Sequence, residues 1–366
     1  MNVRKIIKQL SQAPGPTGNE ISAAEITSEI WEPYVDNIEI DRLGSVIARV
    51  KGVNSQSPRR ILLAAHLDEI GLMVKKIVAN NDPNNSYGFL RLTKLGGVDI
   101  RHLYGQAVTV HGSGDGSREL IGVIGSLPAR MLPPSRRKKA FGFDDLVVDV
   151  GLPLAEVEQF VRVGDFISFR QPVRRLLNGR ITGKALDNRV SIAALAVCLS
   201  ELSSRQHQWD VIVMATAQEE TSFLGAYTGG HTVVPDIAIA VDVTVAKGPG
   251  ITDASVIALG AGPIIGIGPN IHPGVLAKLK QVALTIDLTV HLEPHTRSSG
   301  TDAYALQIAS DGIPTGVVSI PLRNMHSMVE IAAIRDVKRT GRFLAEFVTR
   351  LDSDFYDRLD QSYFIE

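Results

Sequence analysis

The sequence predicts a mixed α/β protein with a mainly parallel central sheet and a small all-β domain inserted into it. Three observations carry that expectation. Continuous apolar runs of strand length recur, each ending in polar residues; helical patterns separate them; and between about residues 70 and 171 the helical patterns give way to short β-like runs rich in glycine and turn signals. A chain of 366 residues is also long for a single core, so two domains, or one with a large insertion, are expected.

The elements follow in order. "RRILLAAHLDE" is apolar from Ile61 to Ala65 and stops at His66 and Asp68. Unbroken runs of this kind suit strands buried on both faces of a parallel sheet. Residues 70–171 hold "GFLRLTKLGG", "QAVTVHGSG", "LIGVIGSLP", "DLVVDVGL" and "VGDFISFR", a spacing of short strands and turns that favours an all-β insertion. "ALDNRVSIAALAVCLSEL" spaces Val190, Ala193, Ala194, Val197 and Cys198 along one helical face. "WDVIVMATAQEE" ends at Glu219 and Glu220, and "PDIAIAVDV" ends at Asp242. "GIPTGVVSIPLRNMHS" leads to His326, and "IRDVKRTGRFLAEFVTRLDS" again has helical spacing, through Val337, Phe343 and Phe347. Strand alternating with helix gives α/β layering, and ligands of such sheets sit beyond the carboxyl ends of the strands. That is where these polar residues collect.

Composition excludes several classes. Lys+Arg at 38 balances Asp+Glu at 39, which gives no electrostatic reason to expect nucleic acid or an acidic membrane. The basic run "SRRKK" at 135–139 reads as a solvated loop in so neutral a chain. Cys198 is the single cysteine, reads as a buried structural thiol, and points to no oxidising compartment. The first residues mix charges into their apolar positions, unlike a signal peptide, and residues 254–277 are uncharged but carry five glycines and three prolines, unlike a membrane helix. A cytoplasmic protein is expected. Gly260, Gly262 and Gly266 lack nucleotide-loop spacing and read as turns, and the histidines other than 66 and 326 read as surface or turn residues.

Glu219 and Glu220 raise the sharpest chemical question. Adjacent carboxylates at the edge of a core repel each other and lose hydration, so both need cations or protons. Their adjacency argues against a glycosidase pair, whose carboxyl groups stand about 5 Å or more apart across a sugar. It suits a metal site in which one glutamate ligates and the other handles protons. A lone histidine at a strand end is commonly structural, but Asp68 two residues beyond His66 can orient its imidazole. Asp187, in "GKALDNR", is either a helix cap or a ligand. With Asp242 and His326 the candidates comprise two imidazoles and three carboxylates, a set suited to Zn²⁺, Co²⁺ or Mn²⁺ rather than Ca²⁺. Two ions sharing one bridging carboxylate need five ligands of this kind.

The order H-x-D, D, E-E, D, H resembles the co-catalytic zinc exopeptidases. "LSQAPGPTGNE", "AAHLDEIGLMV", "GVIGS", "GKALDNRV", "AQEETSFLGA", "AVDVT" and "SSGTDAYALQIASDGIPTGVVSIPLRNMHSMVE" narrow the resemblance to the glutamyl, leucyl and deblocking aminopeptidases that assemble as tetrahedral dodecamers, some described as cellulases. It spans nearly the whole chain. It implies a zinc-exopeptidase-like sandwich, residues 1–69 and 172–366, with a barrel or PDZ-like insertion at 70–171 used for dimer and higher contacts. Two divalent metals per subunit are implied, zinc or cobalt first and manganese next. Asp187 would bridge them, Glu220 and His326 completing one site and His66 and Asp242 the other. Glu219 would be the general base that takes a proton from the metal-bound water, with Asp68 supporting His66. The activity implied is hydrolysis of N-terminal residues from peptides by a homo-oligomer. A polysaccharide hydrolase and a catalytically silent peptide-binding assembly are the alternatives.

The chain leaves the family pattern twice. Leu127 to Leu132 lacks the histidine usual after "GVIGS", and Thr221 to Leu224 replaces the Gly-Leu-Arg-Gly run after the glutamates, beside the expected cleft. Asp302 in "SSGTDAYALQ" either approaches substrate or caps the following helix.

Overall fold

A computed structural model describes residues 1–53, 59–80, 82, 86–132, 134–137, 141–253 and 256–359. The four apolar runs form the centre of one large sheet: Asp210–Thr216, Arg60–His66, Ile237–Val245 and Thr315–Arg323 lie side by side in that order, all parallel. Antiparallel strands flank them, Val46–Val50 and Asn37–Ile40 on one side, Glu330–Ala333, Arg180–Gly183 and Arg174–Arg175 on the other. Ile264–Ile267 adds to Thr315–Arg323 and carries the short strand His291–Pro294.

Both faces of the parallel centre are covered, which is why its runs are apolar at every position. Ile61, Leu63 and Ala65 face a core shared with helices Val3–Gln12, Leu186–Leu202 and Ile334–Thr349. Leu62 and Ala64 face helices Leu224–Val233 and Ala303–Gln307. The one-sided pattern expected for Leu186–Leu202 is corrected here: Leu186 through Leu199 are all buried, Arg189 included. The positions off that face, Ser191, Ile192, Leu195, Ala196 and Leu199, are themselves apolar or small, so both sides of the helix can be buried. Helix Ile334–Thr349 crosses it so closely that a Cβ on Gly341 would lie 2.4 Å from the Ala194 carbonyl oxygen.

Between Gly71 and Phe169 six strands close into a barrel, ordered Gly71–Ala79, Tyr87–Leu95, Val147–Pro153, Arg118–Gly125, Ala107–Gly112 and Phe166–Phe169. Five coincide with the short runs read from sequence. The sixth, Gly71–Ala79, is less legible because a bulge between Val74 and Lys76 breaks its alternation. The barrel has its own core, built on Leu72, Leu90, Val108, Val148 and Ile167, and Met328 enters that core from the loop carrying His326. No described helix is long and apolar enough to cross a membrane.

Of the basic run at 135–139, residues 138 and 139 lie outside the described residues, and Arg137 donates to the Leu132 and Arg130 carbonyls, both at 2.9 Å. The glycine turn at 260–262 also has a structural use: the Gly260 and Gly262 N–H groups donate to the Asp336 carboxylate at 2.6 and 3.1 Å.

Candidate active site

Parallel register sets the site. Thr216 pairs with His66 and Ala240 with Ala64, so His66, the residues after Thr216, and Asp242 reach the same carboxyl edge of the sheet. His66 Nε2 lies 3.1 Å from Asp187 Oδ1 and 3.8 Å from both Asp242 Oδ1 and Glu219 Oε2. His326 Nε2 lies 3.4 Å from Asp187 Oδ2 and 3.4 Å from Glu220 Oε1. Two ligand groups result, His66–Asp187–Asp242 and Asp187–Glu220–His326, each with its donor atoms within 4.8 Å of one another. Asp187 belongs to both, offering one oxygen to each histidine. Glu219 belongs to neither, yet lines the same cleft.

Local backbone explains why the adjacent glutamates can diverge. The strand ends at Thr216, and Gln218 and Phe223, both left-handed at φ 59° and 55°, bracket the short helix Glu219–Ser222. His326 is left-handed as well, at φ 58°. Non-glycine residues in that region cost energy and persist where the surroundings hold them. Asp68 is one such restraint. Its carboxylate accepts the N–H of Glu219 and of Glu220, both at 3.0 Å, while Oδ1 stands 3.4 Å from His66 Nδ1. Asp68 therefore orients the glutamates as much as the histidine.

Glu330 is a second restraint, and sequence reasoning missed it. Its carboxylate accepts from the Asp187 N–H at 3.0 Å and the His326 N–H at 2.9 Å, tying both loops together. The one available signal was its place four residues beyond His326. Lys184 and Glu69, also missed, form a buried pair at 2.6 Å beneath the cluster, and Gly15 donates to the same Glu69 oxygen at 3.0 Å. The barrel presses from the other side. A Cβ on Gly97 would meet His326 Nδ1 at 2.3 Å, so this loop must pass His326 as bare backbone.

Electrostatics expose a deficit of positive charge. Burial pushes Glu219 and Asp242 well above the carboxylate range and Glu220 upward. For Asp187 burial acts upward too, but hydrogen bonds to His326 and His66 bring it well below. Burial disfavours charge on His66, yet Glu219, Asp187 and Asp68 together raise it well above its ordinary value. His326 is pushed up to about 11 by Asp187 and Glu220. Buried carboxylates converging on two imidazoles are a fitting donor set for divalent cations.

Asp302 takes neither expected role: it makes no side-chain cap and does not line the cleft, but accepts from Thr216 Oγ1 at 2.5 Å. Of Thr221 to Leu224, Phe223 lines the cleft, while Thr221 Oγ1 contacts Thr17 Oγ1 at 3.2 Å. Leu127 to Leu132 does not line it; Leu127 and Met131 are exposed on the barrel. Reading the other histidines as surface or turn residues needs correction. His207 is buried, His272 caps helix Pro273–Thr285, and His295 lines the cleft, a space of about 450 Å³ that also holds Thr244 and Glu293.

A carboxylate-rich two-histidine cluster at the carboxyl edge of a parallel sheet, open to a cleft of this size, marks a metal-dependent hydrolase. Comparison with known proteins makes the class specific. The sequence profile of the M42 glutamyl aminopeptidases matches residues 44–343, and the chain belongs to that family of metallopeptidases. The lysyl aminopeptidase of Pyrococcus furiosus is 34% identical, the match covering 92% of this chain and 94% of the relative. Among solved structures, a TET aminopeptidase from the marine sediment archaeon Thaumarchaeota archaeon SCGC AB-539-E09 superposes with a TM-score of 0.87 at 32% identity, covering 98% of both chains. The Pyrococcus horikoshii TET1 peptidase, described as assembling into a tetrahedron or a large octahedral shell, matches at TM-score 0.81 and 27% identity over 96% of this chain and 100% of its own. The protein is a peptidase.

Proposed function

We propose that this chain is a dinuclear aminopeptidase in which Asp187 bridges two divalent ions, His66 and Asp242 completing one site and Glu220 and His326 the other. The observation that carries the reading is the pair of three-residue ligand groups sharing Asp187. Zinc and cobalt suit the mixed imidazole and carboxylate donors best, with manganese the third candidate. When bound, such ions polarise the scissile carbonyl and make water acidic enough to ionise near neutral pH.

The chain's own groups handle the rest. Glu219, outside both ligand groups, is the proton carrier: its carboxylate takes a proton from the attacking water and delivers it to the departing amine nitrogen as the C–N bond breaks. Burial, which raises its pKa, suits a group that must hold that proton between the two steps. Asp68 fixes the backbone of Glu219 and Glu220, and Glu330 fixes that of Asp187 and His326.

The reading extends to organisation. Residues 1–69 and 172–366 form the catalytic domain, and residues 70–171 an inserted oligomerisation domain, supported by exposed Ile121 and Val123 on the barrel and by the shell of the TET1 relative. A homo-oligomer of dimers building toward a dodecamer follows, acting on peptides in the cytoplasm, a location supported by the single buried thiol of Cys198. The test is a panel of aminoacyl chromogenic substrates read with Zn²⁺, Co²⁺ and Mn²⁺ added separately to chelated protein. Metal-dependent release from at least one substrate is expected. Fewer than one bound metal per chain with no aminoacyl cleavage, or chelator-resistant release of reducing sugar, would contradict the reading.

A further inference from the structure

We infer that Glu20 is a positioning residue for the proton carrier: its carboxylate holds the Gln218 peptide and so sets the direction in which Glu219 enters the cleft. The inference rests on the reading of Glu219 as proton carrier and deepens it. Glu20 closes the stretch "APGPTGNE" just before helix Ile21–Trp31 and is only 4% exposed. Its Oε1 accepts the Gln218 N–H at 3.1 Å and the Gly18 N–H at 2.7 Å, while its side chain gives no cap to the helix it precedes.

Four consecutive main-chain N–H groups carry the inference, each taken by a side chain from elsewhere in the chain. Ala217 donates to Ser45 Oγ at 3.1 Å, Gln218 to Glu20, and Glu219 and Glu220 to Asp68 at 3.0 Å each. Helix starts leave such donors without partners inside the helix. Gln218 is left-handed at φ 59°, a conformation that a glutamine keeps only under restraint. Its own N–H lies in the peptide plane on one side of its Cα, and the Glu219 N–H lies in the plane on the other. Glu20 and Asp68 together therefore immobilise both backbone torsions of Gln218. Without Glu20 one plane is free to turn, and the next residue, Glu219, turns with it.

Glu20 is tied back to the strand that ends in His66. The Gly15 N–H donates to Glu69 Oε1 at 3.0 Å, the Glu69 N–H to the Gly15 carbonyl at 2.9 Å, and the Thr17 N–H to the Glu69 carbonyl at 3.1 Å. The path from His66 through Asp68, Glu69, Gly15, Glu20 and Gln218 to Glu219 closes on itself, with Glu219 Oε2 3.8 Å from His66 Nε2. Glu220 and His326 have restraints of their own, in Asp68 and Glu330. Burial, with the Asp68 carboxylate beside it, pushes Glu20 up to about 7. A protonated carboxyl keeps a carbonyl oxygen, so Gln218 is held in either form.

The experiment uses the full-length, metal-loaded protein and compares Glu20→Met, which keeps length and burial without an acceptor, with Glu20→Gln, whose amide oxygen still accepts. The substrate is whichever of the leucine, lysine and glutamate p-nitroanilides the unaltered enzyme cleaves fastest. Glu20→Met should lower kcat by about 10–100-fold, with metal content unchanged and KM moved by no more than about threefold. Glu20→Gln should keep kcat within about threefold of the unaltered enzyme, with the same pH profile. Unchanged kcat in Glu20→Met, with only Tm lowered, overturns the inference. So does loss of metal in that variant, which would place its effect on Glu220. An equal loss of kcat in Glu20→Gln overturns it too, since charge rather than the acceptor would then matter. Should Glu20→Met not fold, Glu20→Asp, which draws the acceptor back by one methylene, carries the same expectation. All these outcomes leave the aminopeptidase reading standing; no cleavage of any of the three substrates by the unaltered, metal-loaded protein defeats both.

Discussion

At one part of the cleft, Asp187, Glu220 and His326 are held by backbone hydrogen bonds to two buried carboxylates, Asp68 and Glu330, while at the wall formed by His291–Pro294 a single hydroxyl, that of Thr244, holds Glu293. The difference matches what each part must do. Hydrolysis needs ligands and proton carrier fixed to fractions of an ångström, so each is restrained through its own main chain. A cleft wall that only shapes the space beside those groups does not need that precision.

That contrast can be broken or sharpened by substitution. Asp187→Ala removes the one carboxylate common to both ligand groups and should abolish metal binding and turnover together, checked by elemental analysis and kcat. Gly97→Ala comes next. Its new Cβ must displace His326, and metal affinity should fall by about 10–100-fold by calorimetric titration, the range expected for disturbing a ligand's support. Unchanged affinity would mean that the barrel does not shape the site. Glu330→Gln keeps shape and burial, but an amide offers one oxygen where two N–H groups now find two. Leaving one buried donor unpaired should cost about 1–3 kcal/mol in denaturant unfolding. Thr221→Val, which removes only the half-exposed contact to Thr17, should change stability by no more than about 0.5 kcal/mol and leave metal content as it was.

The same contrast governs what the sequence reveals. His66 and Asp242 were legible because each closes an unbroken apolar run, and a parallel sheet buried on both faces allows polar residues only at its edge. The barrel was legible through its short runs and turns, apart from Gly71–Ala79, whose bulge shifts the face of every later residue. Glu330 was hidden because its partners are main-chain N–H groups, one four residues away at His326 and one far along the chain at Asp187, which leave no pattern in residue types. Glu293 was hidden for another reason: its four-residue strand alternates intermediate and exposed positions without an apolar run. Tertiary packing, rather than local pattern, also decided helix Leu186–Leu202, whose small residues allow burial on every side.

The central claim is that Glu220 ligates while Glu219, its neighbour on the same short helix, moves protons. Metal content and kcat of Glu219→Gln, measured on one preparation beside the unaltered protein, test it most directly. Two ions per chain should remain while turnover falls by about 10²–10⁴-fold, the contribution general of a positioned acid–base group. Loss of metal in that variant would contradict the account, making Glu219 the ligand and Glu220 the proton carrier.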